Sequence, residues 1–108
     1  MRDNLSSGAL TETTLLVLLA LYEKMHGYGV KLWIEEKTNG DVSLGMGTLY
    51  GTINNLLKKG WIKEHSKDKR RVFYIITDLG KNMVLEENKR LQNLISLLNE
   101  ISGGTKNV

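Results

Sequence analysis

The chain has 108 residues, 41% of them hydrophobic and 25% charged, enough for one domain with a modest core but too few for a dinucleotide-binding enzyme, a barrel or another large catalytic scaffold. With 15 Lys and Arg against 12 Asp and Glu its formal charge is +3. The absence of Cys excludes disulfides, thiol catalysis and Cys-based zinc sites.

Residues 1–8 read as a flexible lead-in and 102–108 as a flexible tail. The start of the chain has no secretory pattern, since Arg2 and Asp3 are followed by mostly polar or small residues as far as Thr14. Between Leu10 and Met25 the sequence predicts a first helix. Its longest apolar run, Leu15 to Leu21, is far short of the roughly 20 residues that span a bilayer, so no membrane association is expected and a cytoplasmic setting is the default. Leu15, Leu16, Val17, Leu18, Leu19 and Leu21 project around the whole helical cylinder, so this helix must be covered on more than one side.

Gly27 interrupts the pattern, and Tyr28 to Thr38 predicts a second helix with Val30, Ile34 and Trp33 inward, stopped by Asn39 and Gly40. Asp41 to Leu44 suits a short bridging strand. A third helix is expected over Met46 to Lys59, because Leu49, Ile53, Leu56 and Leu57 recur at spacings of three and four and Gly60 supplies the stop. Two strands, Trp61 to His65 and Val72 to Ile76, then form a hairpin whose tip is Ser66 to Arg71. Thr77 caps a last helix running from Asp78 to Ile101. At 1.5 Å per residue that helix is roughly 36 Å long, more than a small domain can cover, so part of it projects. The order helix, helix, helix, hairpin, helix is that of a winged helix-turn-helix domain, here residues 9–77, followed by a dimerisation helix, 78–101. The fold class is thus mainly α with a small β-hairpin.

Charge is distributed unevenly. Seven basic residues and three acidic ones fall between Asp41 and Arg71, leaving the rest of the chain slightly acidic, as expected of a module that meets a polyanion on one side. The outward face of the third helix carries Gly47, Thr48, Gly51, Asn54, Asn55 and Lys58, with Tyr50 and Thr52 at its margins and no carboxylate. Small residues permit close approach, Thr and Asn bond base edges or phosphates, and Lys neutralises charge, which suits a major groove. The hairpin tip, with Lys69, Arg70 and Arg71, has the composition of a wing that follows a phosphate backbone.

Gly45 to Gly51 imitates a dinucleotide-binding fingerprint, but the third Gly comes one residue late and the preceding strand is too short and polar. His26 and His65 stand in separate elements without metal-site spacing, and the adjacent pairs Glu35-Glu36 and Glu86-Glu87 read as solvated charge. No enzyme, cofactor or metal centre is expected. In the last helix Val84, Leu91, Leu94, Leu98 and Ile101 form a seam, for which Leu16 and Leu19 in the first helix of a second copy are the natural partners. The alternative function is a winged-helix protein-interaction module without specific DNA binding.

Several segments in order carry a family resemblance: His26-Gly27-Tyr28, Gly47-Thr48-Leu49-Tyr50, Leu56-Leu57-Lys58-Lys59-Gly60-Trp61-Ile62, Arg70-Arg71-Val72-Phe73-Tyr74 and Thr77-Asp78-Leu79-Gly80. Together they resemble the PadR family of bacterial transcriptional regulators, over roughly Leu10 to Leu98. The resemblance implies a homodimeric repressor of the short-tailed subgroup that binds double-stranded DNA at an inverted-repeat operator. Gly47, Thr48 and Tyr50 match the start of the family's recognition helix, and Lys69, Arg70 and Arg71 match its wing. Gly51 departs from the Pro of many relatives. Some members resemble sensors of small aromatic effectors; the last helix here has no aromatic residue, and Trp33 is the candidate effector contact.

Overall fold

The computed structural model describes residues 8–103. The lead-in expected over 1–8 and the tail expected over 102–108 lie largely outside them, and Ser102 is still helical. Four helices and three strands follow in the order α1 (Glu12–Ala20), β1 (Met25–His26), α2 (Gly27–Lys37), α3 (Met46–Lys59), β2 (Ile62–Asp68), β3 (Arg71–Ile76) and α4 (Asp78–Ser102). The strands form one antiparallel sheet in the order β1-β3-β2.

Helix α1 is much shorter than its apolar pattern suggests. Thr11 caps its start by accepting a hydrogen bond from the Thr14 N–H, and the chain leaves the helix at Leu21, whose carbonyl accepts from the Ile76 N–H at 2.8 Å. Met25 and His26 then pair with Tyr74 and Phe73, so the sheet takes Met25, the expected end of the helix, together with the residue after it. This pair, and not Asp41 to Leu44, supplies the third strand. The Thr38 hydroxyl instead holds the loop at Val42, donating to the Ile34 carbonyl and accepting from the Val42 N–H at 3.1 Å. That leaves the loop without a sheet partner.

The core is built from Val17, Leu18 and Leu21 of the first helical segment, Val30 and Ile34 of α2, Leu49, Ile53 and Leu56 of α3, and Ile62, Tyr74 and Ile76 of the sheet. Thr77 caps α4 by accepting from the Gly80 N–H, while its own hydroxyl donates to the Gly60 carbonyl at 2.7 Å. Gly80 is required there: a Cβ would lie 2.8 Å from Ile76 Cγ1 and 3.1 Å from the Trp61 carbonyl carbon.

One acidic residue was misread from sequence. Glu87 is not solvated but buried, and its carboxylate accepts from the Leu10 N–H at 3.3 Å and from Arg90 Nε at 2.9 Å. These bonds hold its carboxyl below the usual range, the Arg90 bond being the larger cause, against the opposing effect of burial. Helix α4 thereby grips the segment that leads into α1. Past Leu91 none of the described residues buries α4, and the molecule extends 59 Å along its longest axis.

Candidate nucleic-acid interface

Burial of Leu49, Ile53 and Leu56 fixes the rotation of α3, and the opposite face follows from it. Gly47, Thr48, Gly51, Asn54 and Lys58 are exposed on that face, and Asn55 is half-buried at its edge. The two Asn residues therefore differ: Asn54 stands clear, whereas Asn55 joins Thr48 and Thr52 in a cleft of about 420 Å³ shared with Thr11, Thr13 and Thr14 of the α1 start. The Thr52 hydroxyl is engaged locally, donating to the Thr48 carbonyl at 3.0 Å.

Gly47 and Gly51 sit one turn apart, and a Cβ at either would meet nothing within 4 Å. No packing among the described residues calls for glycine at these positions, although each costs an exposed helix about 1 kcal/mol relative to Ala. The face is left flat and open.

Tyr50 borders this face at the N-terminal end of α3. Its ring reaches Gly27, the first residue of α2, so closely that a Cβ there would lie 2.5 Å from Cζ and 2.9 Å from Cε1. The phenol of Tyr74 is pushed up by burial first and by Tyr50 and Glu64 next. Tyr50 is thus a strut between α3 and α2.

The wing is stiffer than the sequence suggests. Ser66, Lys67 and Asp68 belong to β2 and Arg71 to β3, leaving only Lys69 and Arg70 in the turn, with Lys69 at φ 58°. Pairing continues to Asp68 opposite Arg71 because the ladder is re-registered by a bulge between Glu64 and Ser66. Asp68 and Arg71 form an exposed ion pair at 3.4 Å, which is worth little in water. Lys63, Lys67, Lys69, Arg70 and Arg71 are all exposed. Trp61 is buried beneath the Lys59 ammonium, 4.5 Å from the ring centroid, and is structural.

Sequence reasoning missed the basic residues of β1 and its approach. His26 packs edge-on against Phe73 with ring centroids 5.3 Å apart, and the Lys24 ammonium and Arg71 guanidinium lie 5.9 and 5.7 Å from the same ring centroid. Only the pairing of His26 with Phe73 across β1 and β3 reveals this cluster.

On α4, Leu91 is half-buried and Leu94, Leu98 and Ile101 are exposed, forming with Ile95 and Leu97 a shallow apolar concavity of about 570 Å³. Leu16 packs against the core, while Leu19 is partly exposed and shares a smaller cavity of about 260 Å³ with Tyr22, Met25 and Trp33. Trp33 is half-buried there, with the Lys37 ammonium 5.9 Å from its ring centroid.

Among the described residues no group of three or more His, Asp or Glu is placed to hold a metal, and no helix is long and apolar enough to cross a membrane. No curated protein matches the chain in sequence. Solved structures do resemble it. A transcriptional regulator from Clostridium thermocellum is 24% identical with a TM-score of 0.72, covering 85% of this chain and 93% of its own. A PadR family transcription regulator from Clostridium difficile is 19% identical with a TM-score of 0.72, covering 86% of this chain and 100% of its own. RosR from H. salinarum is 25% identical with a TM-score of 0.63, covering 89% and 81%. The family of PadR-like transcriptional regulators, DNA-binding proteins and not enzymes, matches residues 15–86, two-thirds of the chain, and the chain belongs to that family.

Proposed function

We propose that two copies of this chain bind an inverted-repeat operator in double-stranded DNA and repress transcription from it in the cytoplasm. The observation that carries this reading is the open, carboxylate-free face of α3 together with a basic two-stranded wing in one domain. In this reading Gly47 and Gly51 let the groove wall approach the helix backbone, Thr48 and Lys58 contact phosphates, and Asn54 reads a base edge because its amide stands clear of the cleft that engages Asn55. Tyr50 positions the helix from its margin. Lys69, Arg70 and Arg71 follow the neighbouring backbone.

The second copy covers Leu91, Leu94, Leu98 and Ile101 with its own α4 and with Leu16 and Leu19 of its α1. A two-fold pair sets the recognition helices about 34 to 36 Å apart, one turn of duplex. The cavity beside Trp33 is the seat for a small aromatic effector, since it offers an indole face next to Leu19 at the edge of this interface.

Anisotropy titrations of labelled genomic duplexes at several salt concentrations test the reading, together with selection of bound fragments. Affinity that falls steeply with salt and a selected consensus with two-fold symmetry are expected. Absence of salt-dependent duplex binding would leave a protein-interaction module as the function of the fold.

A further inference from the structure

Alternation along paired strands puts Lys24 and His26, approaching and within β1, on the same side of the sheet as Phe73 and Arg71 of β3. All three basic groups lie within 6 Å of the Phe73 ring or its centroid. Attraction to the ring explains how the Lys24 and Arg71 cations gather there without neutralising them, while His26 meets the ring edge-on. Among the described residues the only carboxylate bonded to any of the three is that of Asp68, on Arg71. Lys24 is exposed, and His26 precedes α2 without its side chain capping the first-turn N–H groups.

The position of this cluster matters as much as its charge. Arg71 adjoins the wing turn at Lys69 and Arg70, and His26 adjoins Gly27, against which Tyr50 of α3 rests. A continuous basic strip therefore runs from the wing tip along the outer face of β3 and β1 to the start of α2, where it meets the margin of the recognition helix.

We propose that Lys24 and His26, with Arg71 over Phe73, form a second phosphate-binding site that holds the DNA backbone between the wing and α2. The site rests on the DNA-binding reading above and extends it to two residues outside the helix and the wing. Lys24 supplies the charge, the His26 ring supplies a directed N–H, and Phe73 fixes where both stand. Its contacts are to phosphate, so it adds affinity without sequence preference.

The test uses the full chain and a selected genomic duplex. Lys24→Ala and Lys24→Ala/His26→Gln, at an exposed and a half-buried position, are compared with Lys89→Ala on the exposed face of α4. Severalfold weaker binding to every duplex, with the slope of log affinity against log salt shallower by about 0.9 for each Lys24 removed, is expected for the first two and not for Lys89→Ala. Replacement of single operator phosphates by neutral methylphosphonates should reveal one position that weakens the wild type but not Lys24→Ala. A wild type that binds with strong salt dependence while Lys24→Ala keeps the same slope and the same phosphate sensitivity overturns this site alone. A wild type without salt-dependent binding overturns the DNA reading and the site with it, and a Lys24→Ala defect confined to an acidic protein partner does the same.

Discussion

The ring of Tyr50 rests on Gly27, joining the N-terminal part of α3 to the first turn of α2 through a contact that no other residue at position 27 permits without movement. The phenol is partly exposed, so a methyl group at position 27 would displace the ring rather than break the backbone. Gly27→Ala should lower stability by about 1 to 3 kcal/mol, the usual penalty of overpacking, and weaken DNA binding by tilting α3. Tyr50→Ala in the same chain should remove most of that penalty, because the space is then free. A thermodynamic cycle over the four proteins measures the coupling, and additive effects would mean that the contact does not position the helix.

Asn54 and the wing should fail in different ways. Asn54→Ala is expected to relax preference at one base position of each half-site, at about 1 to 3 kcal/mol, whereas Arg70→Ala should weaken all duplexes alike and flatten the salt dependence. Asn55→Ala should disturb the cleft against α1 and leave the consensus intact. Binding-site selection with each variant checks all three, and an unchanged consensus for Asn54→Ala removes it as the reader.

Acid should loosen the grip of α4 on the start of α1. The Glu87 carboxyl is held below its unfolded value, so its contribution to stability is fully present above about pH 4.3, the unfolded carboxyl range, and is lost as pH falls through the lower folded value. Glu87→Gln keeps an acceptor for the Leu10 N–H but cannot ionise. Its unfolding free energy should therefore vary less than that of the wild type as pH falls below this range. Glu87→Leu strands the buried Leu10 N–H and should cost about 1 to 3 kcal/mol at neutral pH. Denaturant titrations across the acid range, with hydrogen exchange at Leu10, measure both effects, and parallel pH profiles for wild type and Glu87→Gln would exclude the linkage.

Where local signals agreed, the sequence specified structure closely. The bounds of α3 coincide with expectation because Leu49, Ile53 and Leu56 mark one face and Gly60, at φ 76°, ends the helix in a conformation suited to glycine. Thr77 behaves as the expected cap for the same reason of local chemistry. What escaped depends on distant partners. A two-residue strand at Met25 and His26 has no periodicity of its own and exists only because Tyr74 and Phe73 offer a sheet edge. Glu87 looks like surface charge until the Leu10 backbone, 77 residues earlier, is seen to reach it. The basic strip around Phe73 was hidden likewise, since Lys24 and Arg71 meet only through strand pairing. Leu91 to Ile101 showed their apolar seam plainly, because a helix face needs no tertiary partner to be read.

That seam gives the last prediction. Leu94 and Leu98 are exposed in the single chain, so Asp at either position costs the isolated fold little, yet in a pair of α4 helices the same carboxylate is buried without a partner. Leu98→Asp should leave the circular dichroism spectrum of the chain helical while light scattering shows a monomer. DNA affinity should fall with it, because a monomer engages one half-site and forgoes the high effective concentration that tethering gives the second. Leu85→Asp, also exposed on α4 but outside the seam, should remain dimeric and bind normally. A Leu98→Asp protein that stays dimeric would place the subunit contact elsewhere, and a wild type that is monomeric at micromolar concentration while still binding symmetric operators would require the two copies to meet only on DNA.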